Sequence, residues 1–107
     1  MVEESIIDRV NAFANIVRQH FVIQKIILFG SQLKGTAHQD SDIDVAVVFK
    51  SIDEDYLDTA ARLFQLRRKI DSRIEPAIFE ESHDPSGFLE EILRTGKVIY
   101  DSTSQRV

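Results

Sequence analysis

Between Phe29 and Phe49 the chain collects residue types able to hold a phosphate and a metal ion together. In LFGSQLKGTAHQDSDIDVAVVF, Gly30-Ser31 ends one apolar run, and Asp40, Asp42 and Asp44 lead into the next. Side chains two apart in a strand share a face, with Cα atoms ~7 Å apart. Asp42 and Asp44 therefore project together, while Ile43, Val45 and Val47 turn toward apolar packing. Two neighbouring anions beside a hydrophobic strand repel each other and resist desolvation, so a cation is required. A small set of oxygen ligands suits magnesium, which completes its shell with water and substrate phosphates. Two such ions ~4 Å apart form a clamp for in-line phosphoryl chemistry. Gly30 lets the backbone come close to a triphosphate. Ser31 adds a hydroxyl and an amide where a helix could begin, a favourable place for an anion. An isolated Asp-Ser-Asp reads most simply as a polar turn with solvated carboxylates. With Gly-Ser at the end of the preceding strand, the same acids describe a nucleotide–magnesium pocket.

Other chemistries fit less well. Gly30 and Gly35 have the glycine spacing of a P-loop, but Thr36-Ala37 follows where Lys-Ser/Thr is needed, so a Walker-type NTPase is not expected. His20, His38 and His83 lack zinc-site spacing, and there are no cysteines for disulfides or thiolate ligands. A reducing, cytoplasmic setting is compatible with that absence. The net charge of −5 argues against strong nonspecific nucleic-acid binding. Lys34 and the run Arg67-Arg68-Lys69 are the local basic candidates, the run reading as a solvated helix face. No apolar stretch approaches the ~20 residues of a membrane span, and the acidic start MVEESIIDRV carries no signal-peptide core.

The elements that must position these residues fit a single domain over residues 1–107, at 43% hydrophobic and 29% charged residues. Ile6, Ile7, Val10, Phe13, Ala14, Val17 and Phe21 follow the helical period and predict an amphipathic helix over roughly 3–20. VIQKIILF and IDVAVVF read as buried strands. Ser51 and Glu54 form an S-x-x-E capping box, ahead of a stripe of Tyr56, Leu57, Ala60, Ala61, Phe64, Leu66 and Ile70. RIEPAIF is a third strand, placed at an edge or bulge by Pro76. Asp84-Pro85 reads as N-cap and first helical residue of a short helix ending at Gly96 as C′. KVIYD makes a last strand, and the tail 102–107 is expected to be flexible. The expected fold class is α+β: a mixed β-sheet of about four strands with helices packed on it. The first two strands should pair antiparallel, and the later helical crossovers favour parallel pairing.

Gly30-Ser31, ten residues, then Asp42-Ile43-Asp44 resembles the G-S-x10-D-x-D signature of the polymerase-beta-like nucleotidyltransferase superfamily. The short chain, and its element order nearly throughout, resembles the minimal nucleotidyltransferases. The specific motif covers only residues 30–44. The resemblance implies that Gly30 and Ser31 bind the nucleotide's phosphates and that Asp42 and Asp44 hold magnesium, as two ions, with a third carboxylate on a later strand. Glu75, inside RIEPAIF, is the expected third acid, and Asp71 is its rival. Many relatives carry arginine where this chain has Gln32, which puts one phosphate contact in question and leaves Lys34 as a substitute. The implied reaction is transfer of AMP from ATP to a hydroxyl. The implied setting is that of an antitoxin in a hetero-oligomer with a small helical toxin of the HEPN class (higher eukaryotes and prokaryotes nucleotide-binding), modified on a tyrosine. An inactive antitoxin that acts by binding alone is the alternative. Phe79, Phe88 and Tyr100 could serve a partner surface but have the spacing of core residues.

Overall fold

The computed structural model describes residues 3–35, 37–38, 41–52 and 55–103. Helix α1 spans Glu4–His20 and buries the stripe Ile6, Val10, Phe13, Ala14 and Val17, close to the expected face. Strand β1 (Lys25–Phe29) is fully buried from Ile26 to Leu28, but Val22, expected in this strand, lies before it and is 94% exposed. A one-turn helix α2 (Ser31–Lys34) follows directly, and then strand β2 (Ile43–Phe49) crosses the core.

Helix α3 (Tyr56–Arg67) begins later than the expected capping box and uses a different cap. Asp55 accepts the amides of Leu57 and Asp58, the usual N-cap bonds, while Glu54 lies outside the described residues. The inward face is also rotated from the expected stripe. Thr59, Leu63 and Leu66 are buried, with Ile70 packed beyond the helix end, while Tyr56 and Leu57 are exposed.

Strand β3 (Ile74–Glu80) pairs parallel with β2 and forms one edge of the sheet, where Pro76 costs no ladder bond on its outer side. Helix α4 (Phe88–Thr95) starts three residues after Pro85, so Pro85 is not its first residue. Asp84 still caps it, accepting the amides of Leu89 and Glu90 from before the intervening turn. Strand β4 is Lys97–Asp101. Gly96 has φ −81 and is not the left-handed C′ residue expected. Its role is spatial: a Cβ there would come within 2.7 Å of an Ile27 methyl and 3.0 Å of the Leu28 carbonyl. Residues 102 and 103 of the expected flexible tail are tied down, Ser102 to Gln24 and Thr103 to Asp101, and 104–107 lie outside the described residues.

The sheet order is β3-β2-β1-β4, mixed as expected, with β1 antiparallel to both neighbours. The crossover through α3 gives the expected parallel β2–β3 pair. β4 does run parallel to β3, but it docks across the sheet against the oppositely directed β1. One sheet face packs on α1 and α3 through Ile26, Leu28, Ile43, Val45, Val47 and Ile74. The other carries Ile27, Ala46 and Val48 against Leu89 and Ile92 of α4. Among the described residues no helix is long and apolar enough to cross a membrane.

Asp71, just before β3, is an anchor of this frame. Its side chain is 7% exposed and accepts from Arg9 of α1 at 2.6 Å and from Arg73 at 2.9 Å. Hydrogen bonds from Arg73 and then Arg9 outweigh burial and hold its carboxyl well below the usual range. A carboxyl whose folded pKa is depressed stabilises fully above its unfolded value, and the contribution drains as pH falls from about 4 toward the folded value. Asp71→Asn should therefore cost roughly 1–3 kcal/mol at neutral pH, the penalty of orphaning charged donors. It should also flatten the acid limb of the stability curve. Urea melts of both proteins between pH 7 and pH 3 check this: a difference that stays constant across the range contradicts the assignment.

Candidate active site

The motif residues meet at one end of the second sheet face. Asp44 lies on β2 with its side chain on the side of Ala46 and Val48, away from the main core. The parallel register places Glu75 of β3 directly beside it. Asp42 precedes the strand and is exposed, whereas Asp44 is half-buried. Burial first, then the negative charges of Asp42 and Glu75, push the Asp44 carboxyl above its ordinary value. Asp44 thus feels both other acids, the electrostatic situation that a divalent cation relieves.

Gly30 forms the other wall. It has φ +83 and ψ −152, a region essentially reserved for glycine. A Cβ built there would collide with the Asp44 carboxylate. The turn therefore presses backbone against acid, and Ser31, half-exposed, opens α2 beside it. The amides of Leu33 and Lys34 close onto the Gly30 carbonyl at 3.1 and 3.2 Å. Helix geometry leaves the amides of Ser31 and Gln32 without a partner inside α2.

Asp71, the rival third acid, is held by its two arginines. Glu75 is the acid that stands beside Asp44. It also has a partner the sequence did not disclose. Arg67, read as part of a solvated basic run, donates to the Ile74 carbonyl at 2.7 Å and to Glu75 Oε1 at 3.1 Å. Its guanidinium lies 4.5 Å from the Phe64 ring centroid. Arg67 lies four residues after the buried Leu63, on the inward side of α3, a placement that only the fold reveals. The second undisclosed residue is Gln32, buried in α2.

Among the described residues no three acidic or imidazole side chains converge tightly enough to enclose an ion by themselves. The donor set is nevertheless of the kind magnesium uses, which needs one or two carboxylates and takes its remaining oxygens from water and phosphate. A cleft of about 520 Å³ adjoins Gly30, with Phe29, Leu33, Lys34 and Phe88 in its lining. Phe88 is 49% exposed and packs edge-on against Phe29 and Phe79. Tyr100, half-buried, lies under Arg18.

The family model "Polymerase beta, Nucleotidyltransferase" matches residues 11–105. No curated protein matches this chain. Among solved structures, a Sulfolobus solfataricus protein assigned as a nucleotidyltransferase superposes with a TM-score of 0.68 at 19% identity, covering 95% of this chain and 86% of that one. A chain of a toxin–antitoxin complex with AMP-PNP gives 0.67 at 26% identity, covering 88% and 74%. A chain from the complex of the tri-AMPylated Shewanella oneidensis HEPN toxin with MNT antitoxin gives 0.62 at 21% identity, covering 90% and 72%. The family match spans nearly the whole chain and includes the Gly-Ser turn and all three acids, so this chain belongs to the polymerase-beta-like nucleotidyltransferase family.

Proposed function

We propose that this protein transfers AMP from ATP to a hydroxyl, most simply a tyrosine, of a HEPN-type toxin, and so acts as its antitoxin in a cytoplasmic hetero-oligomer. One observation carries the reading: Asp44 is paired with Glu75 across β2 and β3 and feels the charge of Asp42, against a glycine turn that only glycine can make. The resemblance to chains from a toxin–antitoxin complex with AMP-PNP and from one holding an AMPylated HEPN toxin supports the choice of donor and partner.

Asp42, Asp44 and Glu75 would hold the magnesium ions, which when bound neutralise charge on the α-phosphate and the departing pyrophosphate. Gly30 and Ser31 would seat the β- and γ-phosphates through backbone amides and the serine hydroxyl. The acceptor oxygen forms a bond to the α-phosphorus as the bond to the bridging oxygen breaks, and pyrophosphate leaves with that electron pair. The acceptor proton passes to Glu75 or to water. Alignment and charge stabilisation carry most of such a reaction. A second reading, an antitoxin that acts by binding alone, is favoured by the Arg67–Glu75 ion pair, which already engages one oxygen of the third acid.

The two readings separate on incubation of the chain with labelled ATP, magnesium and the product of the neighbouring reading frame. Label should appear on the neighbour, and Asp42→Asn with Asp44→Asn should reduce it on the order of 10³-fold. Undiminished label on the double variant refutes the catalytic assignment, and inhibition of the neighbour with no label at all selects the binding reading. Gly30→Ala should introduce roughly 1–3 kcal/mol of backbone strain, lower the melting temperature by several degrees and displace Asp44. Transfer should then fall far more than stability. An alanine variant that keeps wild-type transfer contradicts the close packing of turn on acid.

A further inference from the structure

We infer that Gln32 is a positioning residue that fixes the Asp42 limb of the carboxylate site. The inference rests on the reading of Asp42 and Asp44 as cation ligands. Gln32 is only 9% exposed, and it is the buried side chain of α2. Its Nε2 donates to the backbone carbonyls of Ser41 and Asp42, each at 3.4 Å. A primary amide has two N–H groups, so one nitrogen can serve both acceptors. The contact joins the two ends of the polar loop, the helix after the Gly-Ser turn and the residue pair before β2.

Asp42 needs such a tether because the sheet does not hold it. The β1–β2 register runs to the Phe29–Asp44 pair, and the β2–β3 register begins at Ile43. Asp42 precedes both and is exposed. Among the described residues, other bonds at this corner act on its neighbours: Ser41 bonds to His38 through both its amide and its hydroxyl, and the Ile43 amide donates to the Arg73 carbonyl. Gln32 is, among the described residues, the side-chain donor that reaches the Asp42 carbonyl. The side chain is thus turned inward, away from the position of a phosphate contact, while Lys34 is exposed at the end of the same helix. Partners of this kind, which orient ligands without touching the ion, typically govern metal affinity by 10–100-fold.

The test measures Mn²⁺, a magnesium stand-in, binding to the whole metal-free protein by calorimetry, for wild type, Gln32→Met and Gln32→Glu. Methionine keeps length and volume but cannot donate; glutamate presents acceptors to two carbonyls. Affinity should fall about tenfold in Gln32→Met and further in Gln32→Glu, with the methionine variant's melting temperature nearly unchanged. In the transfer assay, the magnesium concentration for half-maximal rate should rise by the same factor, with the rate at saturating magnesium within about twofold of wild type. Wild-type Mn²⁺ affinity in Gln32→Met overturns the inference, as does a loss that tracks unfolding and is not recovered by added metal. A wild-type protein that binds no Mn²⁺, or binds it equally well after Asp44→Asn, overturns the cation reading itself and this inference with it.

Discussion

The register of two parallel strands governs the site. β2 and β3 pair so that Asp44 faces Glu75, although two carboxylates a strand apart repel by on the order of 1–3 kcal/mol at the effective dielectric near a protein surface. A slip of one residue would separate them, but it would also move Ile74 and its neighbours off the core face. Ile43, Val45, Val47 and Ile74 are fully buried on the opposite side of the sheet. Each contributes roughly 1.5–3 kcal/mol by burial, so the core outweighs the repulsion severalfold and dictates the register. The charge conflict at Asp44 is imposed from behind, by hydrophobic packing that an acidic surface cannot relax.

Arg67 answers only part of that conflict. A single guanidinium reaches Glu75 through one oxygen, with 43% of the glutamate side chain still exposed. It is anchored by the Ile74 carbonyl and the Phe64 ring, both outside the acid cluster. The net effect on Asp44 still disfavours its charge, through burial first and then Asp42 and Glu75. A chain that placed a fixed arginine against Asp44 would have closed the site; this one places it at the outer strand of the pair. The contrast with Asp71 is direct. There two arginines converge on one buried carboxylate, and the result is a structural clamp between α1 and the entrance to β3.

What the sequence disclosed follows from which forces are local. The face of Asp44 was legible because strand alternation alone decides it, whereas Asp42, expected on the same strand, precedes β2; α1 was legible because its apolar residues repeat over about three turns. The face of α3 was misjudged because Tyr56, Leu57 and Ala61 match a helical period as well as the true stripe does. The stripe's first member, Thr59, is polar and invisible to an apolar count. Asp84 was recognisable as a cap, but not the turn between it and the helix, since cap chemistry does not fix chain distance. Gln32 and Arg67 could not be assigned because their roles exist only through tertiary partners: carbonyls nine and ten residues away for one, a strand beyond the helix for the other.

The two sheet faces divide the work of the chain. One is covered by two long helices and holds most of the buried apolar residues. The other is covered by eight-residue α4, whose Leu89 and Ile92 pack on Ile27, Ala46 and Val48. Gly96 lets α4 turn into β4 against Ile27 without spacing, and Gly30 lets the α2 turn lie against Asp44. Both glycines act by removing a Cβ, one to seat a cover and the other to hold a wall.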